Sequence, residues 1–559
     1  MEDSNKRILI LVAVSVVLLL VYPYVLNKLY PQKEVKKQAA KEAPVAAVKE
    51  KRPSPALKDK APAAPVVPVE EELITVETPL YKAVLTTYGG GVRSWELKRY
   101  RKTRKKDSPL IDVAKPLNGL TPLASRLEAE GLPEMAVFTP SARSLSLDKG
   151  ERKRLTLTWT APNGMKTVKT YLFSGDNYTV KSEVKVINGS NGPVEGFIKT
   201  DVTWAYARAA KKKKSGAYAY HEGPVIMVKG KVKRQPLEAG REEGSEDISW
   251  IGLEDKYFIS AILPERDTGN LLWESTVTTL DKKNAARVSV GIPFDLGPGD
   301  EALLGYRAYL GPKEYKLLKA EGWRFEEAIE FGFFSFIAKP LLVVLNFFQR
   351  FVVNYGIAII LLTIVIKIAF YPLTKHSLTS MKEMQKIQPQ LLAIKEKYKK
   401  NKEKMNKEMM ELYRRHKINP LGGCLPMILQ IPVFIGLYEV LAVAIELRHA
   451  PFALWIQDLS AKDPYYVTPL LMGASMFIQQ KMTPTAMDPT QAKMMLFMPV
   501  LMTFLFLNFP SGLVLYWLVN NILSIMQQYQ IHRTSSGGSG AAAGPSKPAR
   551  SSRRKPAKA

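Results

Sequence analysis

Beyond residue 340 the apolar residues gather into five runs, at about 350–372, 424–446, 465–480, 494–508 and 513–530. Nothing else in the sequence constrains the fold as much. A backbone in lipid must satisfy its own N–H and C=O groups, which a helix does within one segment. A sixth run, ILILVAVSVVLLLVYPYVL, follows Lys6 and Arg7 near the start. No small-x-small cleavage site follows it closely, so it reads as an uncleaved anchor over 1–27 with its amino end in the cytoplasm. The mean hydropathy of −0.10 would suit a soluble protein, but it averages two unlike parts. The fold class expected is a polytopic α-helical membrane protein with six transmembrane helices and a large water-soluble insert.

The insert begins after a linker, 28–71, of Lys, Ala, Pro, Val and Glu that cannot bury a core. From 72 to 322 the chain alternates apolar and polar residues, as in YTVKSEVKVIN after the turn signal SGDN and in RLTLTWTAPNG. This predicts an all-β sandwich domain. It holds one histidine, His221, and shows no cluster of His, Cys or paired carboxylates, so a stabilising or spacing role is preferred over chemistry. In WRFEEAIEFGFFSFIAKP, residues Phe325, Ala328, Ile329, Gly332, Phe333, Phe336 and Ile337 fall on one helical face. The pattern predicts an interfacial amphipathic helix over 323–340.

Between the first two late runs, residues 375–417 carry thirteen Lys or Arg against five Glu, whereas 448–464 carry two basic residues. Basic short loops stay inside, so the first belongs to the cytoplasm and the second to the outside. The β domain is then exported, and the tail 534–559, basic and without acids, is cytoplasmic. The 375–417 segment should be a helical hairpin broken at KKNK. Its stripes of Met381, Met384, Leu391, Leu392 and Ile394 and of Met405, Met409, Leu412 and Tyr413 zip the two arms, with partner docking as a lesser role. The net charge of +28 favours anionic partners. The single cysteine, Cys424, excludes an intrachain disulfide and any thiol redox pair, and the sequence offers no metal cluster and no G-x-x-x-x-G-K-[ST] phosphate cradle.

Lys367 stands inside YGIAIILLTIVIKIAFYPLT, where a central lysine costs roughly 2.5–3.5 kcal/mol. One account has its stem snorkel to the headgroups. The other has it face a polar recess with Thr363, one turn earlier, and with Gln430, Thr503, Tyr516, Trp517, Asn520 and Asn521 from later runs. Runs of about sixteen residues reach only about 24 Å, so a locally thin bilayer is expected.

The stretches YPLTKHSLTSMKEMQKIQP, INPLGGCLPMILQIPVFIGLY, ELRHAPFALWIQDLSAKDPYY and FPSGLVLYWLVNN resemble segments of the YidC/Oxa/Alb family of membrane insertases over about 330–533. The resemblance implies a five-helix insertase core over 341–533 with a hydrophilic groove open to cytoplasm and lipid, in a bacterial inner membrane. It also implies an exported β domain like a galactose-mutarotase sandwich. The groove's basic residue, usually arginine, matches Lys367, with Thr363 beside it; Ile431 and Pro432 match substrate contacts, and Tyr516 and Trp517 match a pair that is often two tyrosines. Partners implied are nascent membrane proteins, the phospholipid bilayer, the Sec translocon, and the ribosome through the basic hairpin and tail; no cofactor is implied and the protein is not an enzyme. Two other readings compete with this one. A small-molecule or ion transporter would use Glu439 and Glu446, but repeats are lacking. A sugar epimerase would need more histidines than His221.

Overall fold

The computed structural model describes residues 71–116, 120–207, 220–238, 240–265, 271–280, 283–416, 418, 425–482 and 489–536. The expected anchor, nearly all of the linker, Cys424 and most of the tail lie outside the described residues. Two compact units result: residues 71–100 with Leu110–Gly311, and Arg101–Pro109 with the chain from Pro312 onward.

The first unit is mostly β-sheet, with sheets of five, nine and five strands. Strand Thr179–Ile187 follows its sequence pattern, burying Val180, Val184 and Val186 and turning Lys181, Glu183 and Lys185 outward. It lies between antiparallel partners Lys166–Ser174 and Glu301–Pro312. The APNG turn joins Arg152–Thr160 to Lys166–Ser174; Gly164 there has φ 91°, and a Cβ would strike the Gly189 carbonyl, so only glycine fits. Strand Phe258–Pro264 is buried along its whole length, which fits a sequence, FISAILP, that is apolar on both faces apart from Ser260. Trp95, Trp204 and Trp250 are fully buried, and Tyr81 stacks on Trp95 at 3.9 Å.

This core also holds charges that sequence inspection passed over. Arg126 grips Asp201 with two hydrogen bonds of 2.7 and 3.1 Å and reaches Glu128 and Glu134 at 2.9 and 3.0 Å. Burial alone would raise the Asp201 carboxyl, but the Arg126 charge and hydrogen bonds outweigh it and hold it below the usual range. Lys169 is fully buried; its ammonium donates to the carbonyl of Leu123, a residue at φ 61°. The Tyr171 hydroxyl donates to the Gly90 carbonyl at 2.7 Å. Burial drives the Lys169 pKa well below that of a free lysine, against a smaller pull from Asp201. These side chains fasten the loops at 89–91 and 121–124 to the sheet, a structural role.

In the second unit the described helices are α1 (Tyr315–Glu321), α2 (Ser335–Val352), α3 (Tyr355–Ala369), α4 (Tyr371–Lys386), α5 (Gln388–Lys397), α6 (Lys402–Arg415), α7 (Leu425–Val443), α8 (Val467–Met482), α9 (Pro489–Phe506) and α10 (Ser511–Ser536). The apolar stripe read from Phe325 to Ile337 is not one helix. A 3-10 turn covers Phe325–Ala328, Gly332 breaks the chain at φ 62°, and α2 starts three residues later. Gly332 packs against the Glu439 carboxylate so closely that a Cβ would collide with it. The amphipathic helix is therefore displaced toward the C-terminus: α2 exposes Phe336, Val343, Phe347 and Phe351, which share one face. Val353, in the left-handed region, ends it, and Asn354 caps α3 by accepting from the Gly356 and Ile357 amides.

The five spans expected after residue 340 overlap described helices, and the sixth, the anchor, lies outside the described residues. Among the described residues α2 is long and apolar enough by itself, and α3 qualifies together with α4 across a 62° bend. The fifteen residues of α3 span about 22 Å. In the basic hairpin, Ile387, Leu391 and Leu412 form a buried core flanked by Ile394, Met409 and Tyr413. The zipping role is thus visible, although Leu392 of the expected stripe is exposed.

Candidate functional site

Helix α10 packs on α3, α7 and α8, and one of its faces is polar through an apolar stretch. Tyr516, Asn520, Ser524 and Gln528 recur every four residues, a spacing that stacks them on one side of a helix. The Lys367 ammonium, from α3, donates to the Ser524 hydroxyl at 2.6 Å. Ser524 in turn donates to the Asn520 carbonyl at 2.8 Å, leaving its lone pairs for the ammonium. The Asn520 side chain accepts from Gln430 of α7 at 2.8 Å; Tyr516, one turn before Asn520, is buried, and its hydroxyl has no hydrogen-bond partner among the described residues. One polar seam therefore joins α3, α7 and α10. Lys382 of α4 adds a bond to the Ile531 carbonyl at 2.9 Å.

Not every expected residue joins this seam. Thr363 is fully buried, and its hydroxyl donates to the Ile359 carbonyl of its own helix at 2.6 Å, the usual resting place of a threonine inside an apolar helix. Trp517 belongs to an aromatic cluster, edge-on to Phe434 with centroids 4.6 Å apart and to Phe506 at 5.1 Å. Thr503 bonds back to the Pro499 carbonyl. Asn521 reaches Ser475 of α8 at 3.0 Å, on a different side of α10. Beside Gln430, Ile431 is 46% exposed and Pro432 sits within α7. Ser524, Ser475, Gln528 and Lys382 were missed; the four-residue polar spacing in α10 was the available signal.

The rival sites fare poorly. Glu439 and Glu446 form no ion pair, and no metal-holding group of His, Cys, Asp and Glu occurs, among the described residues. His221 donates from its ring to the Pro224 carbonyl at 3.0 Å.

Two family models divide the described chain between them: the 60Kd inner membrane protein model matches residues 347–537 and the YidC periplasmic domain model matches 73–344. A membrane protein insertase YidC of Geotalea daltonii is 44% identical over 538 residues, covering 95% of this chain and 99% of the relative. The chain belongs to the YidC family of membrane protein insertases. A relative of the same name from Geobacter sulfurreducens is 46% identical over 82% of this chain and 86% of its own length. A solved structure titled an active YidC insertase aligns over 83% of this chain and 93% of its own at 18% identity, with a TM-score of 0.36. Family membership sets the chain among insertases rather than enzymes, gives its β-sheet unit as the periplasmic domain and places it in the inner membrane.

Proposed function

We propose that the chain inserts hydrophobic segments of newly made proteins into the inner membrane along the seam centred on Lys367. The single observation that carries this reading is the direction of the ammonium. The ammonium is held by Ser524 on the neighbouring helix α10, a protein partner that a lysine merely snorkelling to the headgroups does not need. A cation held there among neutral partners offers water and acidic side chains a place within an otherwise apolar helix group. In this reading α3, α7, α8, α9 and α10 form a five-helix core, which with the anchor 1–27 makes six crossings, and the bilayer thins around the short helices.

Ile431, exposed next to Gln430, and Pro432 would touch the passing segment, while Tyr516 closes the inner end of the seam. Thr363 and Trp517 would shape it from behind, through packing. Both termini and the 375–417 hairpin lie in the cytoplasm in this arrangement. With its apolar stripe buried, the hairpin presents its lysines and arginines outward, and it and the tail 534–559 would engage ribosomes by salt-sensitive contacts with RNA phosphates. The Sec translocon is the partner for larger substrates.

Purified full-length protein in proteoliposomes tests this. Single-span substrates with short acidic tails should become protected from external protease only when the protein is present and without nucleotide. Equal protection in protein-free liposomes, or accumulation of ions or sugars instead, would reject the reading.

A further inference from the structure

We propose that the hairpin tip at residues 101–109 is a dock for anionic phospholipid headgroups on the outer face of the membrane. The sequence RKTRKK, residues 101–106, places five cations in six positions, and the insertion seam uses none of them. Lys102, Lys105 and Lys106 are exposed, and Asp107 is the acid within the tip. A merely solvated loop needs no internal order, but this one is stapled. The Thr103 amide donates to the hydroxyl of buried Ser108 at 2.9 Å, Arg101 donates to the Ser108 carbonyl at 2.8 Å, and the Lys102 amide donates to the Pro109 carbonyl at 2.9 Å. The turn thus holds its cations outward before any ligand arrives, which lowers the ordering cost of binding.

Residues Arg101–Pro109 belong to the same compact unit as the helices, and within it their neighbours identify the occupant. Arg448, beyond the end of α7, donates to the Arg101 carbonyl at 2.8 Å. Arg104 donates to Gln457 at 2.9 Å, and Gln457 donates to the Leu454 carbonyl. Leu454 is 77% exposed, and Tyr465, edge-on to Trp455, is 68% exposed. Cations beside exposed leucine and aromatic rings match the boundary where phosphates meet the first methylenes of a bilayer. An acidic peptide would satisfy the cations but leave the apolar group without a partner.

The proposal rests on the helices around the tip being embedded in a membrane, and the test uses nanodiscs, whose two faces are equally accessible, so an inverted topology would not mimic failure. Full-length protein carrying Cys424→Ser and Lys105→Cys receives a fluorophore at position 105. It is placed in nanodiscs of phosphatidylcholine alone or with roughly one third phosphatidylglycerol, each containing a headgroup quencher. Quenching is expected only in the anionic discs, and should fall to the phosphatidylcholine level in high salt or when Lys102 and Lys106 become glutamine. Since each cation near an anionic surface adds about fivefold to binding, removing two should weaken contact about thirtyfold. Equal quenching in both lipids, insensitivity to the substitutions, or quenching by an added acidic peptide but not by lipid would overturn the proposal. An unchanged insertion rate for neutral-tailed substrates verifies that the glutamine variant is folded.

Discussion

Replacing Lys367 by alanine removes a cation whose nitrogen sits 2.6 Å from the Ser524 hydroxyl, with no carboxylate bonded to it among the described residues. The charge is therefore available to a visitor. An acidic side chain brought to about 7 Å, at an effective dielectric of about 20, gains about 2.4 kcal/mol. Water in an open recess raises that dielectric, so about 1.4 kcal/mol, or roughly tenfold, is the expected selective loss. The assay compares initial insertion rates of paired substrates that differ only in the charge of the translocated tail, at matched protein levels. Lys367→Ala should slow the acidic-tailed substrate about tenfold and the neutral one less than about twofold. Lys367→Arg keeps a cation of similar reach and should insert both, which makes it the folding control. Lys367→Glu should be worst for acidic tails, because like charges repel in a poorly solvated recess. Equal slowing of acidic and neutral substrates by Lys367→Ala would refute the electrostatic argument.

Other consequences follow from packing and buried charge. A Cβ at Gly473 would overlap the Thr503 hydroxyl across α8 and α9, so Gly473→Ala should cost about 1–3 kcal/mol; thermal unfolding in detergent reads it, and Thr503→Ala in the same chain should restore most of the loss. In the β-sheet unit, Lys169 has a folded pKa well below its unfolded value. The unfolded chain then binds more protons between the two values, and stability should rise with pH across that window by up to about 1.4 kcal/mol per pH unit. Lys169→Met should flatten the slope, as followed by hydrogen exchange of strand Lys166–Ser174. Asp201, whose pKa is depressed, contributes stability above the normal carboxylate range that is lost in stronger acid, so Asp201→Asn should be less stable at neutral pH and less sensitive to acid. Protease outside intact spheroplasts should cut the β-sheet unit and spare KYKKNKEK; cleavage there would invert the topology.

The helical elements were legible because apolar runs, Pro372 and the break at KKNK act locally. The alternation in Thr179–Ile187 was equally local. What escaped depends on contacts distant in sequence. Gly332 reads as one more small residue on a helical face until Glu439 is packed against it. Lys169 looks like an outward strand lysine until the carbonyl of Leu123, 46 residues away, meets it. At the candidate site the sequence marked Lys367, Gln430, Tyr516 and Asn520 as polar residues in apolar surroundings, which is a property of single positions. It could not distinguish Thr363, satisfied by its own helix, from Ser524, turned to the lysine, because a hydroxyl's partner is decided by which helix lies opposite.

Crosslinking from the seam tests the central claim most directly. A photoreactive residue is placed at Ile431, exposed beside Gln430, or at Phe504, 74% exposed on α9, in the full-length protein with a stalled nascent membrane protein of increasing length. The segment entering along the seam should crosslink strongly to position 431 while its apolar span is emerging, lose that crosslink once the span is fully in lipid, and react little with position 504. Equal crosslinking at both positions at every length would contradict passage along the Lys367 seam.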